Sequence, residues 1–255
     1  MRIVVLNVQP NSTAGQFAAA TKLCFPDADI SIQSPRGFTD ELDRRIDPPS
    51  KLQRLLTGDH RKPADLVVFP AISGDRSLLP EFMRLKDTGP LIDGFSQAGG
   101  HVAGFCAGAF GLLTSWYNRN NNLIKVAQSG NVAPGISAYG PKKTTNLQHQ
   151  KTAYGDRYIP MAPIQFEGMT DPVNVCTHLA PMFVVHQDQG VHVLGRYADD
   201  KRQRVAALLI DEGTEKGRVC LSGPVTYAHY DTLHIHRHLL EKVLGTHPKP
   251  ALSVA

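Results

Sequence analysis

The sequence predicts an α/β domain: a mostly parallel sheet flanked by helices, with antiparallel strands added in the second half. Three observations predict it. In the first half, short apolar runs alternate with helical stretches, the pattern of strands joined through crossover helices. In the second half, short strand-like runs follow one another without helices between them. Between the two, His101-Val-Ala-Gly-Phe-Cys106-Ala-Gly-Ala-Phe110 reads as a buried strand that turns sharply into a helix.

Taken in order, residues 2–8 form a first strand, because one basic residue and so short an apolar run do not make a signal peptide. A helix over 15–24 ends before Pro26, and a second strand follows at 28–32. Residues 51–57 are helical, and 64–70 form a buried strand stopped by Pro70. Helical stretches at 78–85 and 91–98 lead to the strand 101–105, after which a helix starts at Ala107 and runs toward Trp116. The polar stretch 140–156, rich in Lys, Thr, Asn and Gln, reads as a long surface loop. Strands are predicted at 173–177, 182–186, 191–197, 204–210 and 218–222, and an amphipathic helix at 231–244. Residues 1–246 read as a single domain and 247–255, with Pro248 and Pro250, as a flexible tail.

Composition narrows the function. An apolar content of 42% over 255 residues supports a sizeable core and argues against disorder. The net charge of +4 comes from scattered basic residues, and the densest cluster, Lys201-Arg202-Gln203-Arg204, reads as a solvated turn, so no nucleic-acid partner is expected. No apolar stretch reaches the length of a membrane span, so no membrane partner is expected either. The four cysteines, Cys24, Cys106, Cys176 and Cys220, lie far apart with no C-x-x-C pair. That disfavours a disulfide framework or zinc ribbon and points to a reducing, cytoplasmic setting.

The segment Gly104-Phe105-Cys106-Ala107-Gly108 has the G-x-(nucleophile)-x-G spacing of a nucleophile elbow, with Cys at its centre. A sharp strand-to-helix turn strains the backbone at the nucleophile, and small neighbours let strand and helix approach. A thiol at the helix start faces free N–H groups and the positive dipole end, which favours thiolate. The same N–H groups, Ala107 first, suit an oxyanion. The competing reading is a buried structural cysteine on a tight turn.

Four segments together resemble class I glutamine amidotransferase-like domains, which carry a flavodoxin-like sheet. They are Gly99-Gly-His-Val-Ala-Gly-Phe-Cys-Ala-Gly-Ala-Phe110, Ala133-Pro-Gly-Ile-Ser-Ala-Tyr-Gly-Pro141, Val193-Leu-Gly-Arg-Tyr197 and Gly217-Arg-Val-Cys-Leu-Ser-Gly-Pro224. Within that superfamily the nearest likeness is to the N-terminal amidotransferase-like domain of biotin–protein ligases and its free-standing bacterial relatives. The resemblance implies Cys106 as nucleophile, an oxyanion loop after the third strand at Ser73 and Gly74, and a His-x-acid pair after the last strand. The family's usual His slot there holds Val225; His229-Tyr230-Asp231 restores the spacing four residues later, with Asp in place of Glu. The usual Gly-Gly after the third strand is replaced by Ala71-Ile72-Ser73-Gly74. Nothing here resembles a biotin-ligase catalytic domain, so biotin transfer is not expected.

Cysteine catalysis needs a base for the thiol proton and a carboxylate to orient that base. His229 with Asp231 is the first choice, the alternative being a loop residue beside the final helix. His178 is the second choice. His234, His236 and His238 raise the question of a metal, and His234 and His238 share a helix face at i, i+4, a spacing used by some metal sites. A solvated face explains them better, and neither metal nor cofactor is expected. Asp75 and Arg76 can orient a polar substrate or sit in a surface turn; Tyr227 and Tyr230 can wall a pocket or simply pack. The function these residues imply is hydrolysis of a small-molecule carboxamide, glutamine by resemblance, with a separate synthetase or ligase partner receiving ammonia. The alternative is a catalytically silent binding or regulatory domain that kept the turn and lost the base.

Overall fold

The computed structural model describes residues 1–7, 13–33, 49–58, 62–71, 89–117, 120–125, 132–140, 147–152, 155–177, 180–187, 190–213 and 215–245. The first half alternates as predicted: β1 (Arg2–Leu6), α1 (Ala14–Cys24), β2 (Asp29–Gln33), α2 (Pro49–Thr57), β3 (Leu66–Phe69), α3 (Gly89–Gln97), β4 (His101–Phe105) and α4 (Ala107–Phe110). The second half adds β5 (Ser115–Tyr117), β6 (Leu123–Lys125), β7 (Ile136–Tyr139), β8 (Leu147–Thr152), β9 (Gly155–Phe166), β10 (Val173–Cys176), β11 (Met182–Val185), β12 (Val191–Tyr197), β13 (Val205–Ile210) and β14 (Val219–Ser222). A 3₁₀ turn at Tyr230–Thr232 leads into α5 (Leu233–Leu244).

The sheet runs β2-β1-β3-β4-β14-β13-β11-β7-β5-β6. Its first five strands are mutually parallel, and β13 opens the antiparallel part by pairing Ala207 with Ser222 and Ile210 with Val219. The strands β1, β3 and β14 are buried at every position, which is why they read as unbroken apolar runs rather than alternating ones. Helices α1 and α5 pack on each other; α5 also packs on β4 and β14, and α3 packs on β4 and α2. One buried core extends from Ile3 through β4 and β13 to Val243. Gly245, in the left-handed region at φ 69°, ends α5 with its N–H on the Lys242 carbonyl.

Two predicted elements are corrected. The stretch 140–156 is not a long loop, since β8 and β9 form an antiparallel hairpin from Leu147↔Pro160 to Thr152↔Gly155. Its strand β8, Leu-Gln-His-Gln-Lys-Thr, lacks the alternating apolar face that marks a half-buried strand, so only the backbone ladder reveals it. The helix after Cys106 lasts one turn. It stops at Phe110, Leu112 and Leu113 turn into the core, and Trp116 joins β5 beside β7, where an aromatic suits the pleat. The predicted helix at 78–85 and the tail 247–255 lie outside the described residues. No described helix is long and apolar enough to cross a membrane.

Candidate active site

The carboxyl ends of β3, β4 and β14 meet at Cys106. β4 is flanked by β3 on one side, Phe69 opposite Gly104, and by β14 on the other, Ser222 opposite Phe105. The Cys106 N–H carries the β14 ladder one residue further by donating to the Ser222 carbonyl at 2.7 Å. The chain then reverses: Cys106 has φ 51° and ψ −118°, a conformation that strains any residue with a Cβ by about 1–3 kcal/mol. The flanking glycines are there for space. A Cβ at Gly104 would lie 2.7 Å from the Ala109 Cα, and one at Gly108 would run into the Phe69 and Pro70 carbonyls. The sequence thus produces the sharp turn expected of it, with α4 resting its first turn on the end of β3.

The electrostatics run against expectation. Cys106 is only 3% exposed, and its thiol pKa is pushed up to about 12, chiefly by burial and then by the neighbouring Cys176 thiol, with the Ala107 N–H acting in the opposite direction. The predicted helix-assisted thiolate is therefore corrected: a one-turn helix supplies little dipole, and desolvation of the charge prevails. Ala107, expected to donate to an oxyanion, hydrogen-bonds the sulfur through its N–H. Tyr197 and Tyr227, both buried, lie close enough for the Cys106 charge to raise their pKa values further, after burial itself.

His229 and Asp231 do come together. The imidazole Nδ1 accepts the Asp231 N–H at 3.2 Å and lies 3.4 Å from its Oδ2. The His229 side chain is 12% exposed and that of Asp231 is 85% exposed, so the carboxylate sits in water and the ring mostly does not. Both described contacts of the imidazole run to Asp231, an arrangement that opens the 3₁₀ turn. Val225, in the slot where the resemblance places a His, is buried, and its N–H donates to the Cys176 carbonyl at 2.8 Å. That bridge brings the end of β10 beside the segment after β14 and makes Cys176 a neighbour of Cys106, a pairing that no sequence spacing announces. Ser73, Gly74, Asp75, Arg76 and His178 lie outside the described residues.

The histidines of α5 part company. His234 is exposed, whereas His236 is fully buried, with Nε2 3.0 Å from the Thr21 hydroxyl and Nδ1 3.3 Å from that of Thr226. Burial lowers its pKa to about 3 and keeps it neutral. The reading of these histidines as a solvated face thus fails at His236. Among the described residues no group of His, Cys, Asp or Glu is arranged to hold a metal ion.

Neither a family model nor a curated protein matches the chain. Solved structures do. PurLQS from Thermotoga maritima superposes with a TM-score of 0.52 at 14% identity over 94% of this chain and 98% of that one. A glutamine amidotransferase from Thermotoga maritima superposes with a TM-score of 0.51 at 10% identity over 96% of this chain and 98% of that one. The fold is class I glutamine amidotransferase-like. About a third of the carbohydrate deacetylase Agd3 superposes as well, with a TM-score of 0.52 at 8% identity over 96% of this chain and 32% of that one. The amidotransferase-like fold therefore locates the sheet end on which a site is built and leaves the chemistry to the residues there.

Proposed function

We propose that the chain is a cysteine-dependent amide hydrolase of the glutamine amidotransferase type, with Cys106 as the nucleophile of a G-x-C-x-G elbow. One observation carries the reading. A side chain is held at φ 51° between two glycines required by close backbone approach, although a third glycine at that position would relax the turn. Keeping a strained Cys there fits a thiol that is used.

In this reading the sulfur attacks the carboxamide carbon while a base takes the thiol proton. His229 is that base, with His178 as the second choice. At rest the His229 Nδ1 accepts the Asp231 N–H, so to take the thiol proton at Nε2 the ring must first carry its own proton on Nδ1, toward the Asp231 carboxylate 3.4 Å away. Because burial keeps the thiol protonated at rest, proton removal accompanies attack instead of preceding it. The N–H of Ala107 and the Ser73–Gly74 loop hold the oxyanion. As the C–N bond breaks, the imidazolium returns its proton to the leaving nitrogen, which departs as ammonia. Water then attacks the thioester, releasing the carboxylic acid and regenerating the thiol. The substrate is a small carboxamide, glutamine first. The ammonia passes to a separate synthetase or ligase, and the protein works in the cytoplasm without a nucleic-acid or membrane partner, metal or cofactor. The relation to the N-terminal domain of biotin–protein ligases belongs to the same proposal.

A second reading, a catalytically silent binding or regulatory domain, is favoured by the burial of the thiol and its raised pKa. Turnover separates the two. Ammonia release from glutamine and a panel of primary amides, abolished by Cys106→Ala with the thermal melt shifted by only a few degrees, supports the hydrolase. A panel with no turnover, suspected partners included, overturns it.

A further inference from the structure

Tyr227 touches three segments around the Cys106 turn. Its ring packs edge-on against Phe105, the residue before Cys106, with centroids 5.5 Å apart. Its hydroxyl accepts the N–H of Ala71 at 2.6 Å, and Ala71 is the last described residue before Ser73 and Gly74. The same hydroxyl lies 2.7 Å from the Thr13 Oγ1, at the cap of α1, and Tyr227 itself stands two residues before His229.

Proton accounting closes these contacts into a ring. Thr13 has one hydroxyl proton and donates it to the Ala71 carbonyl at 2.7 Å, which also receives the Thr13 N–H at 2.9 Å. The Thr13 oxygen can then only accept from Tyr227. The order is fixed: Ala71 N–H to the Tyr227 oxygen, Tyr227 O–H to Thr13, and Thr13 O–H back to the Ala71 carbonyl. Tyr227 and Ala71 are buried, so removing the hydroxyl strands a peptide N–H with no water to replace the lost acceptor. The ring also consumes the Ala71 N–H.

We propose that the Tyr227 hydroxyl is a positioning residue for amide hydrolysis at Cys106: through the ring with Thr13 it fixes the Pro70–Ala71 segment after β3, and the Phe69 and Pro70 carbonyls there lie against Gly108 of the Cys106 turn. This rests on the hydrolase reading. A phenylalanine at 227 keeps the aromatic packing against Phe105 and loses only the ring, and a valine at 13 loses the same ring from the other side.

The experiment compares wild type, Tyr227→Phe, Thr13→Val and Thr13→Ser in steady-state glutamine or amide hydrolysis. Backbone amide exchange at Ala71 is followed by NMR in the same four proteins. The expected result is a fall in kcat of tenfold or more for Tyr227→Phe and Thr13→Val, with KM within about threefold, and recovery to near wild type in Thr13→Ser. Exchange at Ala71 should quicken at least tenfold in the two impaired variants only. Quickened exchange with kcat within twofold of wild type overturns the positioning role, and so does unchanged exchange. A wild type with no turnover, beside quickened exchange in the variants, overturns the hydrolase reading and with it the catalytic purpose, while leaving the ring itself established.

Discussion

Cys106 and Ser222 are joined by a backbone hydrogen bond of 2.7 Å, made one residue beyond the paired ends of β4 and β14. The bond holds the peptide before the thiol in the strand direction while the peptide after it already belongs to α4. The positive φ at Cys106 satisfies both at a residue that is not glycine.

That strain is measurable. An alanine at 106 keeps the Cβ and the strain, and a glycine removes both. Cys106→Gly is expected to be more stable than Cys106→Ala by about 1 kcal/mol, the reverse of the usual order. Urea unfolding of the two variants checks this, and an alanine variant as stable as the glycine one would show that the turn relaxes without strain.

The contact between Gly108 and the end of β3 predicts a larger effect. A Cβ at Gly108 meets the Phe69 and Pro70 carbonyls, which are backbone and have no alternative rotamer. Gly108→Ala should destabilise by about 2–4 kcal/mol and abolish any Cys106-dependent turnover. Gly94, exposed in α3 with nothing within 4 Å of where a Cβ would stand, is the control: Gly94→Ala should stabilise by about 0.5–1 kcal/mol.

Acid stability should depend on His236. Folded, its imidazole stays neutral down to about pH 3; unfolded, it takes up a proton near its ordinary value of 6.5. Between those values the unfolded chain binds more protons, so this contribution is complete above pH 6.5 and is lost as the pH falls, by up to about 1.4 kcal/mol per unit. His236→Gln should flatten the dependence in that window. Melts recorded from pH 7 to 4 for both proteins test it, and parallel curves would sink the assignment.

Alkylation should follow burial. Cys24 is partly exposed whereas Cys106, Cys176 and Cys220 are buried, so iodoacetamide should modify Cys24 first at neutral pH. Labelling of Cys106 should keep rising with pH beyond 10, because its thiol pKa is pushed up to about 12. Peptide mass spectrometry at a series of pH values reads both, and a plateau near pH 7 for Cys106 would reveal an activating group that outweighs the burial of the thiol.

The parallel half of the fold was legible because strands buried on both faces must be written as apolar runs, as in Leu66-Val-Val-Phe69. The turn at Cys106 was legible for a similar reason: only glycine tolerates the approach to Ala109 and Phe69, so the spacing is written in Gly104 and Gly108. The hairpin β8–β9 was hidden because a polar strand satisfied by its ladder leaves no apolar alternation. The thiol's electrostatics were hidden as well. They depend on how deep the chain buries Cys106 and on the arrival of Cys176 through the Val225 bridge, and both are tertiary. Tyr227 gave no sign beyond an aromatic near the expected base, since its hydroxyl partners lie far away in the chain at Thr13 and Ala71.

The place of β14 between β4 and β13 has a consequence for how the molecule is made. The last described strand in chain order is a central one, and until it leaves the ribosome β4 and β13 each present an unsatisfied inner edge. The two sides of the sheet can therefore join only once residues 219–222 have been made, through contacts of long sequence separation that form slowly. Nascent or truncated chains ending before Val219 would carry two open, apolar strand edges, the surfaces most prone to mispairing and most in need of chaperones. The strained turn at Cys106, whose N–H waits for the Ser222 carbonyl, is thus among the last features of the sheet to be completed.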